Sequence, residues 1–423
     1  MIITVKEETI VQPVEKTPRQ ILWTTSIMYK SQAFIYISLM GIQTFFSPNV
    51  LRDALSKVLV PFYPFAGKLK WNNEGRLEID CNGDGALFIE AETESVIEDL
   101  GEFLTSEEIT QLIPKVDYTK DISSYPVVRI QVTYFKCGGV SLGVVMAHSV
   151  GDGDAGLNFI CSWSGVARGI GIKIPPFIDR TLLRARDPPT PSFPHIEYQP
   201  PPTMQPSQYS NSFTASMFRL SSHHINLLKA QCAEGSDTVR YSSFEVIAAH
   251  VWRCACWARG LVECQESKLT IPVDGRSRLS PPFPPGYLGN AIFNVTPMAT
   301  AGEILSKPFI DIVRKIHEHL VMVDDEYIRS AIDYSAMQPS VFDLIYGANS
   351  VNCPNIAITS WYQMPIHEAE FGLGRPIYMG PGAILCEGLA YILPSPVEDG
   401  SRLLAIALQP EHMALFKDYI YDI

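Results

Sequence analysis

The chain has 423 residues, of which 46% are hydrophobic and 18% are charged, and its formal net charge is −12. This composition is typical of a globular protein with one large or two ordinary domains and excludes a disordered chain. The negative charge argues against nucleic acid as a partner, because phosphate binding requires a basic surface. Residues 1–10 lack an apolar core and no stretch reaches the roughly 20 apolar residues of a membrane span, so we expect neither a signal peptide nor membrane binding.

The nine cysteines are scattered along the chain and odd in number. Cys254 and Cys256 form the closest pair, and their spacing fits neither a zinc site nor CxxC redox chemistry. We therefore expect reduced thiols in a cytoplasmic protein. The pairs His223-His224 and His317-Glu318-His319 do not share one helix face, so we predict no metal site.

Apolar periodicity predicts mixed strands and helices along the whole chain. In the first half we predict an opening strand at 2–10, a helix from Pro48 to Val58 capped by Ser47, strands at 76–80 and 86–90, and a hairpin of 126–135 with 140–147 around Cys137-Gly138-Gly139. In the second half we predict strands at 213–220, 268–273, 355–361, 389–393 and 403–408, with helices at 222–232, 309–323 and 411–419. Ser242-Ser243-Phe244-Glu245 matches a capping box that opens a further helix.

Prolines recur between residues 174 and 206, where neither a helix nor an inner strand can persist. Apolar side chains such as Phe177, Leu183 and Tyr198 favour an ordered crossover over a disordered tether. The predicted organisation is therefore an N-terminal lobe at 1–173, a Pro-rich crossover at 174–206 and a C-terminal lobe at 207–423.

One stretch, 141–169, combines a buried strand, a histidine and a helix. His148 follows the strand, Gly151-Asp152-Gly153 turns the chain, and the helix after it is expected to end at Gly169. A strand that delivers one imidazole to a Gly-rich bend can hold a general base rigidly. A neutral imidazole can take a proton from a hydroxyl or an amine at neutral pH. A purely structural histidine is the alternative.

Two motifs and their flanks resemble a known family. HSVGDG at 148–153 fits the HxxxDG pattern of the plant BAHD acyltransferases, which use acyl-CoA thioesters, and EFGLG at 370–374 is similar to their DFGWG element. The segments 59–68, 177–189 and 358–376 resemble the hydroxycinnamoyl-CoA shikimate/quinate hydroxycinnamoyltransferases in particular. The resemblance implies an α/β fold of two similar lobes of mixed β-sheet with flanking helices and the active site at the lobe interface.

The resemblance also implies roles for the candidate catalytic residues His148, Asp152 and Glu370. His148 would be the general base. The spacing of Asp152 permits a His–Asp relay, whereas the resemblance implies a structural carboxylate paired with an arginine, for which Arg276 is the tentative partner. Glu370 replaces the aspartate of the family's second motif, which the resemblance places away from the acyl-transfer centre, where it would shape the lobe interface. Leu373 replaces its tryptophan and removes an indole donor that could stabilise the oxyanion.

The acceptor pocket departs from the family pattern in two regions. Gln363 stands where the shikimate-type enzymes have an arginine that pairs with the acceptor carboxylate. Tyr36 and Ser38 lie in an N-terminal segment that is about four residues shorter than in those relatives. We take Tyr36, Ser38 and Gln363 as candidate substrate contacts and predict a weaker or different acceptor preference.

For CoA, the resemblance offers Lys229, Ser242, Ser243 and Arg276 as candidate contacts. Each also has a structural interpretation, as a solvated lysine, a helix cap or an ion-pair partner. CoA is anionic, so its contacts would form a local basic patch against the overall negative field.

The predicted function is transfer of a hydroxycinnamoyl group from CoA to a hydroxyl acceptor of the shikimate/quinate type or a related alcohol. The acceptor would attack the thioester directly, without a metal, a prosthetic group or an acyl-enzyme, in a cytoplasmic monomer. Two alternatives stay open. One is an N-acyltransferase with an amine or polyamine acceptor, and the other is a weakened homologue that only binds acyl-CoA or a partner.

Overall fold

The computed structural model describes residues 1–24, 31–38, 47–101, 107–115, 117, 119–204, 212–233, 239–338, 348–372, 374–384, 386–397 and 399–423. The strands are β1 (Thr4–Val11), β2 (Ile21–Trp23), β3 (Ser31–Ser38), β4 (Lys68–Trp71), β5 (Leu77–Asp80), β6 (Ala86–Thr93), β7 (Val128–Phe135), β8 (Val140–Ala147), β9 (Thr214–Leu220), β10 (Glu266–Asp274), β11 (Ile292–Val295), β12 (Met298–Thr300), β13 (Ile356–Ser360), β14 (Tyr378–Pro381), β15 (Leu389–Pro394) and β16 (Arg402–Leu408). The helices are α1 (Pro48–Val58), α2 (Glu107–Gln111), α3 (Gly153–Ala167), α4 (Ser222–Ala233), α5 (Ser243–Ala258), α6 (Ala301–Ser306), α7 (Phe309–Met322), α8 (Asp325–Met337), α9 (Ala348–Val351) and α10 (Pro410–Tyr419). Within these ranges, none of the helices is long and apolar enough to cross a membrane.

The chain forms two compact units, each assembled from separate segments. The first unit comprises Met1–Arg184, Phe283–Ala291 and Met364–Ala383, and the second comprises Ala185–Pro282, Ile292–Gln363 and Ile384–Ile423. Two segments from the second half of the chain thus belong to the first unit. The lobes predicted at 1–173 and 207–423, with one crossover between them, stay a prediction.

The first unit is built on a sheet whose described strands have the order β1-β6-β7-β8-β3-β14. β6 and β7 are parallel, and β7 and β8 form the predicted antiparallel hairpin, which turns at Gly138 with a φ of +82°. Every residue of β8 is buried, which explains its continuous apolar run. Gly143 is required there, because a Cβ atom would lie 2.2 Å from the carbonyl oxygen of Leu112. β8 is therefore a central strand with little freedom to shift.

Aromatic contacts fix α3 in the first unit. The ring of Phe159 meets those of Phe65 and Phe62 edge-on, at centroid distances of 5.0 and 5.5 Å. Trp163 donates from Nε1 to the carbonyl oxygen of Leu51 at 2.9 Å. Such rings bury a large area in one defined geometry, so the helix is held along its length. As predicted, Gly169 terminates the helix in the left-handed conformation: its φ is +74°, and it lies two residues after Ala167, the last residue of α3.

The second unit contains a sheet with the described order β11-β10-β13-β15-β16-β9, and β12 also pairs with β10. The predicted capping box opens α5, because Ser242 Oγ accepts from the Glu245 amide and Glu245 Oε2 accepts from the Ser242 amide. The other predicted cap was wrong. α1 begins at Pro48, but the Ser47 side chain makes no capping hydrogen bond, and its carbonyl oxygen accepts from the Leu51 amide instead.

A buried histidine holds part of the Pro-rich segment in the second unit. Ser330 Oγ accepts from the amides of Ser192 and Phe193, at 2.8 and 3.1 Å. Since both lone pairs of this hydroxyl are then used, its proton is donated to His195 Nε2 at 2.8 Å. His195 Nδ1 therefore carries the proton of the neutral ring and donates to Glu197 at 2.7 Å. These bonds attach residues 192–197 to α8.

Asp333 of α8 anchors the same segment. The buried carboxylate accepts from Arg186 Nε at 2.6 Å, from the Arg186 amide at 2.8 Å and from the Thr190 amide at 2.9 Å. Burial raises the pKa of Asp333, but the bonds from Thr190 and Arg186 outweigh it and hold the pKa below its usual value. Arg186 also contacts Glu326 on the surface, at 3.0 Å.

We expect Asp333→Ala to lower the free energy of unfolding by about 2–4 kcal/mol, because it leaves buried donors without their acceptor. Glu326→Ala, which removes the exposed partner of the same arginine, should cost less than about 1 kcal/mol. Urea denaturation at pH 7 measures both. Because the pKa of Asp333 is lowered by folding, its contribution is present at neutral pH and disappears as the pH falls through that lowered value. Equal losses in the two variants would contradict this account.

Candidate active site

His148 is the first residue after β8 and stands in the turn that leads into α3. Burial lowers the pKa of the imidazole below 6.5, although the nearby Asp152 carboxylate acts in the opposite direction. The ring is therefore neutral at neutral pH, which is the state that a general base requires.

Asn290 restrains this ring. Its Nδ2 donates to the His148 carbonyl oxygen at 3.3 Å and lies 3.1 Å from His148 Nδ1. The same amide therefore contacts both the ring and the backbone of His148. Asn290 belongs to the loop Phe283–Ala291, which is part of the first unit. The sequence analysis missed this residue, because a lone asparagine at the end of a Pro/Gly loop carries no local signal.

Asp152 joins the turn to the same loop. Its fully buried carboxylate caps α3 by accepting from the Ala155 amide at 3.1 Å, and it also accepts from the Ala291 amide at 3.0 Å. The Asp152 amide in turn donates to the Gly289 carbonyl oxygen at 3.2 Å. Both carboxylate oxygens thus bind backbone amides, which favours the structural role over a proton relay.

The predicted partner Arg276 lies in the second unit, two residues after the end of β10. There its Nη1 contacts Asp274 Oδ1 at 3.0 Å. Pairing of Arg276 with Asp152 stays a prediction.

Arg180 is a second residue that the sequence analysis missed. It is 2% exposed and donates from Nη2 to the Val150 carbonyl oxygen at 2.5 Å and from Nη1 to that of Trp23 at 3.3 Å. The sequence has arginines at 180, 184 and 186, and nothing local tells which of them is buried.

Glu370 organises the turn of the second motif. Its Oε1 accepts from the amides of Gly372 and Gly374, at 2.7 and 3.1 Å, and its Oε2 pairs with Arg168 Nη1 at 2.5 Å. The extra methylene thus does not prevent the carboxylate from bonding its own turn. Arg168 lies at the end of α3 opposite to His148, and a helix of 15 residues is about 22 Å long. This favours a structural role; a catalytic role of Glu370 stays a prediction.

The phenyl ring of Phe371 is buried against Trp163, with centroids 5.1 Å apart. The motif therefore packs against α3. Leu373, the other departure from the family pattern, lies outside the described residues.

Tyr36 and Ser38 lie on β3, which pairs with β8. The register sets Ser31 opposite Ala147, whereas Tyr36 is opposite Leu142 and Ser38 is opposite Val140. Leu142 is six residues from His148, about 20 Å along a strand. The pairing thus brings the start of β3, rather than Tyr36 or Ser38, next to the histidine. Their role as substrate contacts stays a prediction.

Gln363 occupies an exposed turn after β13, in the second unit. Its neighbour Tyr362 lies under the guanidinium of Arg402, whose Cζ is 3.4 Å from the ring centroid. Because the Gln363 side chain is exposed, burial does not prevent its replacement by a charged residue.

The four candidate CoA contacts all belong to the second unit. Ser242 and Ser243 stand at the start of α5, which packs against α4, and Lys229 is partly exposed on α4. Ser242 acts as a helix cap, as its structural interpretation predicted, and Arg276 contacts Asp274, a partner that the sequence analysis did not name. Neither contact excludes a second role toward CoA, which stays a prediction.

His317 and His319, two of the histidines considered as metal ligands, have other contacts. His317 Nδ1 lies 2.6 Å from Glu245 Oε1, and His319 Nδ1 lies 2.8 Å from the Lys315 carbonyl oxygen. In the ranges given above, three or more side chains that could hold a metal ion do not come together.

Comparisons with known proteins cover the whole chain. The model of the Transferase family matches residues 1–423. The chain is 52% identical over 434 residues to a shikimate O-hydroxycinnamoyltransferase of Nicotiana tabacum, and 46% identical over 441 residues to a hydroxycinnamoyl-CoA:5-hydroxyanthranilate N-hydroxycinnamoyltransferase of Avena sativa, in each case with 100% of both chains covered.

Its fold is similar to that of vinorine synthase, with a TM-score of 0.75 and 20% identity over 98% of this chain and 96% of that one. The HxxxDG histidine at the end of β8, the fold and the full-length matches agree. The chain therefore belongs to the Transferase family of BAHD enzymes, the CoA-dependent acyltransferases.

Proposed function

We propose that the protein transfers a hydroxycinnamoyl group from CoA to a hydroxyl acceptor of the shikimate/quinate type or a related alcohol. The observation that carries the proposal is the His148 imidazole, which burial keeps neutral and Asn290 restrains in the turn after β8. The relative with 52% identity, a shikimate O-hydroxycinnamoyltransferase, supports this choice of donor and acceptor.

The reaction needs one proton carrier. His148 takes the proton of the acceptor hydroxyl as its oxygen attacks the thioester carbonyl carbon. A carbon–oxygen bond forms, and the C–S bond of the tetrahedral intermediate then breaks. The imidazolium returns its proton to the thiolate, which gives the ester and free CoA. The scheme uses neither an acyl-enzyme nor a metal or prosthetic group.

An amine acceptor is the second candidate, and two observations favour it. The side chain at 363 is an uncharged glutamine, which cannot form an ion pair with an acceptor carboxylate. The relative from Avena sativa is an N-hydroxycinnamoyltransferase that shares 46% of its residues with this chain. A neutral imidazole can serve either nucleophile, so the acceptor has to be decided by experiment.

The proposal includes a cytoplasmic monomer whose ligands are small molecules. The formal charge of −12 supports the exclusion of nucleic acid. Light scattering after size-exclusion chromatography would test the monomer.

We expect His148→Ala to lower kcat with p-coumaroyl-CoA by about 100-fold or more, because the general base is lost. Thiol release measures turnover, and circular dichroism confirms that the variant is folded. His319→Ala, a change on α7 in the second unit, is the control and should keep normal turnover.

Near-normal turnover of the His148 variant would overturn the proposal. Wild-type protein that binds CoA in a thermal-shift titration but releases no thiol with any acceptor would identify a weakened homologue instead.

The acidic limb of kcat/KM should have its midpoint below 6.5, since burial lowers the pKa of His148 in the free protein and the base is active when it is unprotonated. Rates between pH 5 and 9 give this midpoint. Asn290→Asp places a carboxylate beside Nδ1 and should move the midpoint upward, because a negative charge favours the imidazolium. A wild-type midpoint above 6.5 would contradict the assignment of the limb to His148.

Gln363→Arg should raise kcat/KM for shikimate or quinate by about tenfold, because arginine can bind a carboxylate through two hydrogen bonds. Rates for an uncharged alcohol should change little. A panel of acidic alcohols, neutral alcohols and polyamines, assayed with the wild type and with Gln363→Met as control, measures the preference. If the wild type already prefers shikimate or quinate with a micromolar KM, the inferred drift of the acceptor pocket is wrong.

A further inference from the structure

Arg180 is a buried cation with an unusual set of partners. It lies in the helical turn Arg180–Leu183, and its guanidinium donates to the carbonyl oxygens of Val150 and Trp23. Among the atoms that the structure describes, its Nε has no hydrogen-bond partner. A charge is costly to bury unless it is paired, so this arginine is not explained by stability alone.

Its short hydrogen bond acts on the turn between β8 and α3. Val150 lies between His148 and Asp152, and its carbonyl oxygen accepts from Arg180 Nη2 at 2.5 Å. The Val150 amide donates to the Ala147 carbonyl oxygen at 2.9 Å. Both the amide and the carbonyl group of Val150 are therefore hydrogen-bonded. Arg180 thus fixes the middle of the segment that begins with the histidine.

The guanidinium also acts through its charge. The titratable groups that influence it are Tyr287, Cys81, Tyr63 and Asp152, and of these only Asp152 is a carboxylate. The same carboxylate favours the protonated form of the His148 imidazole. A positive charge near Asp152 offsets part of that negative potential and so favours the neutral ring.

We propose that Arg180 is a positioning residue of the acyl-transfer site, which holds the Val150 carbonyl oxygen and thereby keeps the turn that begins at His148 in place. The inference rests on the proposed function, because it assigns Arg180 a role in the reaction that His148 performs. Arg180 itself need not touch either substrate.

Two variants separate the effect of the Arg180–Val150 hydrogen bond from the effect of the positive charge of Arg180. Arg180→Gln removes the charge and keeps a side-chain donor, whereas Arg180→Lys keeps the charge and loses the two-armed geometry. Arg184→Gln, the same change at an exposed arginine four residues along the chain, is the matched control. For each protein we would measure kcat, the KM for p-coumaroyl-CoA, the pH dependence of kcat/KM and the unfolding midpoint. The His148 titration would be followed by NMR of 15N-histidine, assigned with His148→Ala.

We expect Arg180→Gln to lower kcat by about 10- to 100-fold with a KM change of less than about threefold, since a misplaced base affects the chemical step. The midpoint of the acidic limb and the midpoint of the His148 titration should both rise by about half a pH unit or more. Without the Arg180 charge, the negative potential of Asp152 at the imidazole is less offset and favours the imidazolium. Arg180→Lys should return both midpoints to the wild-type position while recovering only part of kcat. Arg184→Gln should match the wild type.

Wild-type kcat and an unmoved His148 titration in Arg180→Gln would overturn the inference. So would a variant whose only change is a smaller folded fraction, with normal kcat per folded molecule, because that describes a structural role. If Arg180→Gln does not fold, Arg180→Lys decides: a lower kcat with an unchanged His148 titration supports the inference, and full activity overturns it.

Failure of the proposed function can be distinguished from failure of the inference about Arg180. If His148→Ala remains active, the general base is wrong whatever the Arg180 variants show. If that variant is inactive and the Arg180 variants behave as the wild type, only the role of Arg180 is lost.

Discussion

The first unit depends on hydrogen bonds between the turn after β8 and the loop Phe283–Ala291. Asp152 is central to them, because its carboxylate accepts from the Ala155 and Ala291 amides while its own amide donates to Gly289. One buried side chain therefore starts α3 and attaches a loop that is far away in sequence. A buried carboxylate left without these donors would be costly, so the arrangement is fixed once the unit has formed.

This constraint gives the histidine its chemical character. The loop that Asp152 holds also carries Asn290, which contacts both the ring and the backbone of His148. The imidazole is therefore restrained, and burial keeps it neutral. A restrained, unprotonated base that needs little reorganisation before proton transfer suits acyl transfer. The second motif lies at the far end of α3 from His148. There the Glu370 carboxylate accepts from the Gly372 amide of its own turn and pairs with Arg168.

Much of the fold could be predicted from the sequence, because its signals are local. The β7–β8 hairpin follows from glycines at its turn, the start of α5 from the reciprocal bonds of Ser242 and Glu245, and the end of α3 from Gly169. Ser47 shows the limit of such signals, since a residue of the right type preceded the helix without capping it. The histidine itself was recognised from its position after a buried strand and from the HxxxDG motif.

The sequence alone determined the family, the strand that presents His148 and the departures from the family pattern at Gln363 and Glu370. Each of these can be recognised from a short stretch of adjacent residues. Only the tertiary structure decided what surrounds the histidine. Asn290 lies 142 residues away from it in the chain, and Arg180 is one of three closely spaced arginines of which it alone is fully buried. Contacts of this kind depend on how distant segments pack, and the type of a residue does not reveal which carbonyl or ring it will meet.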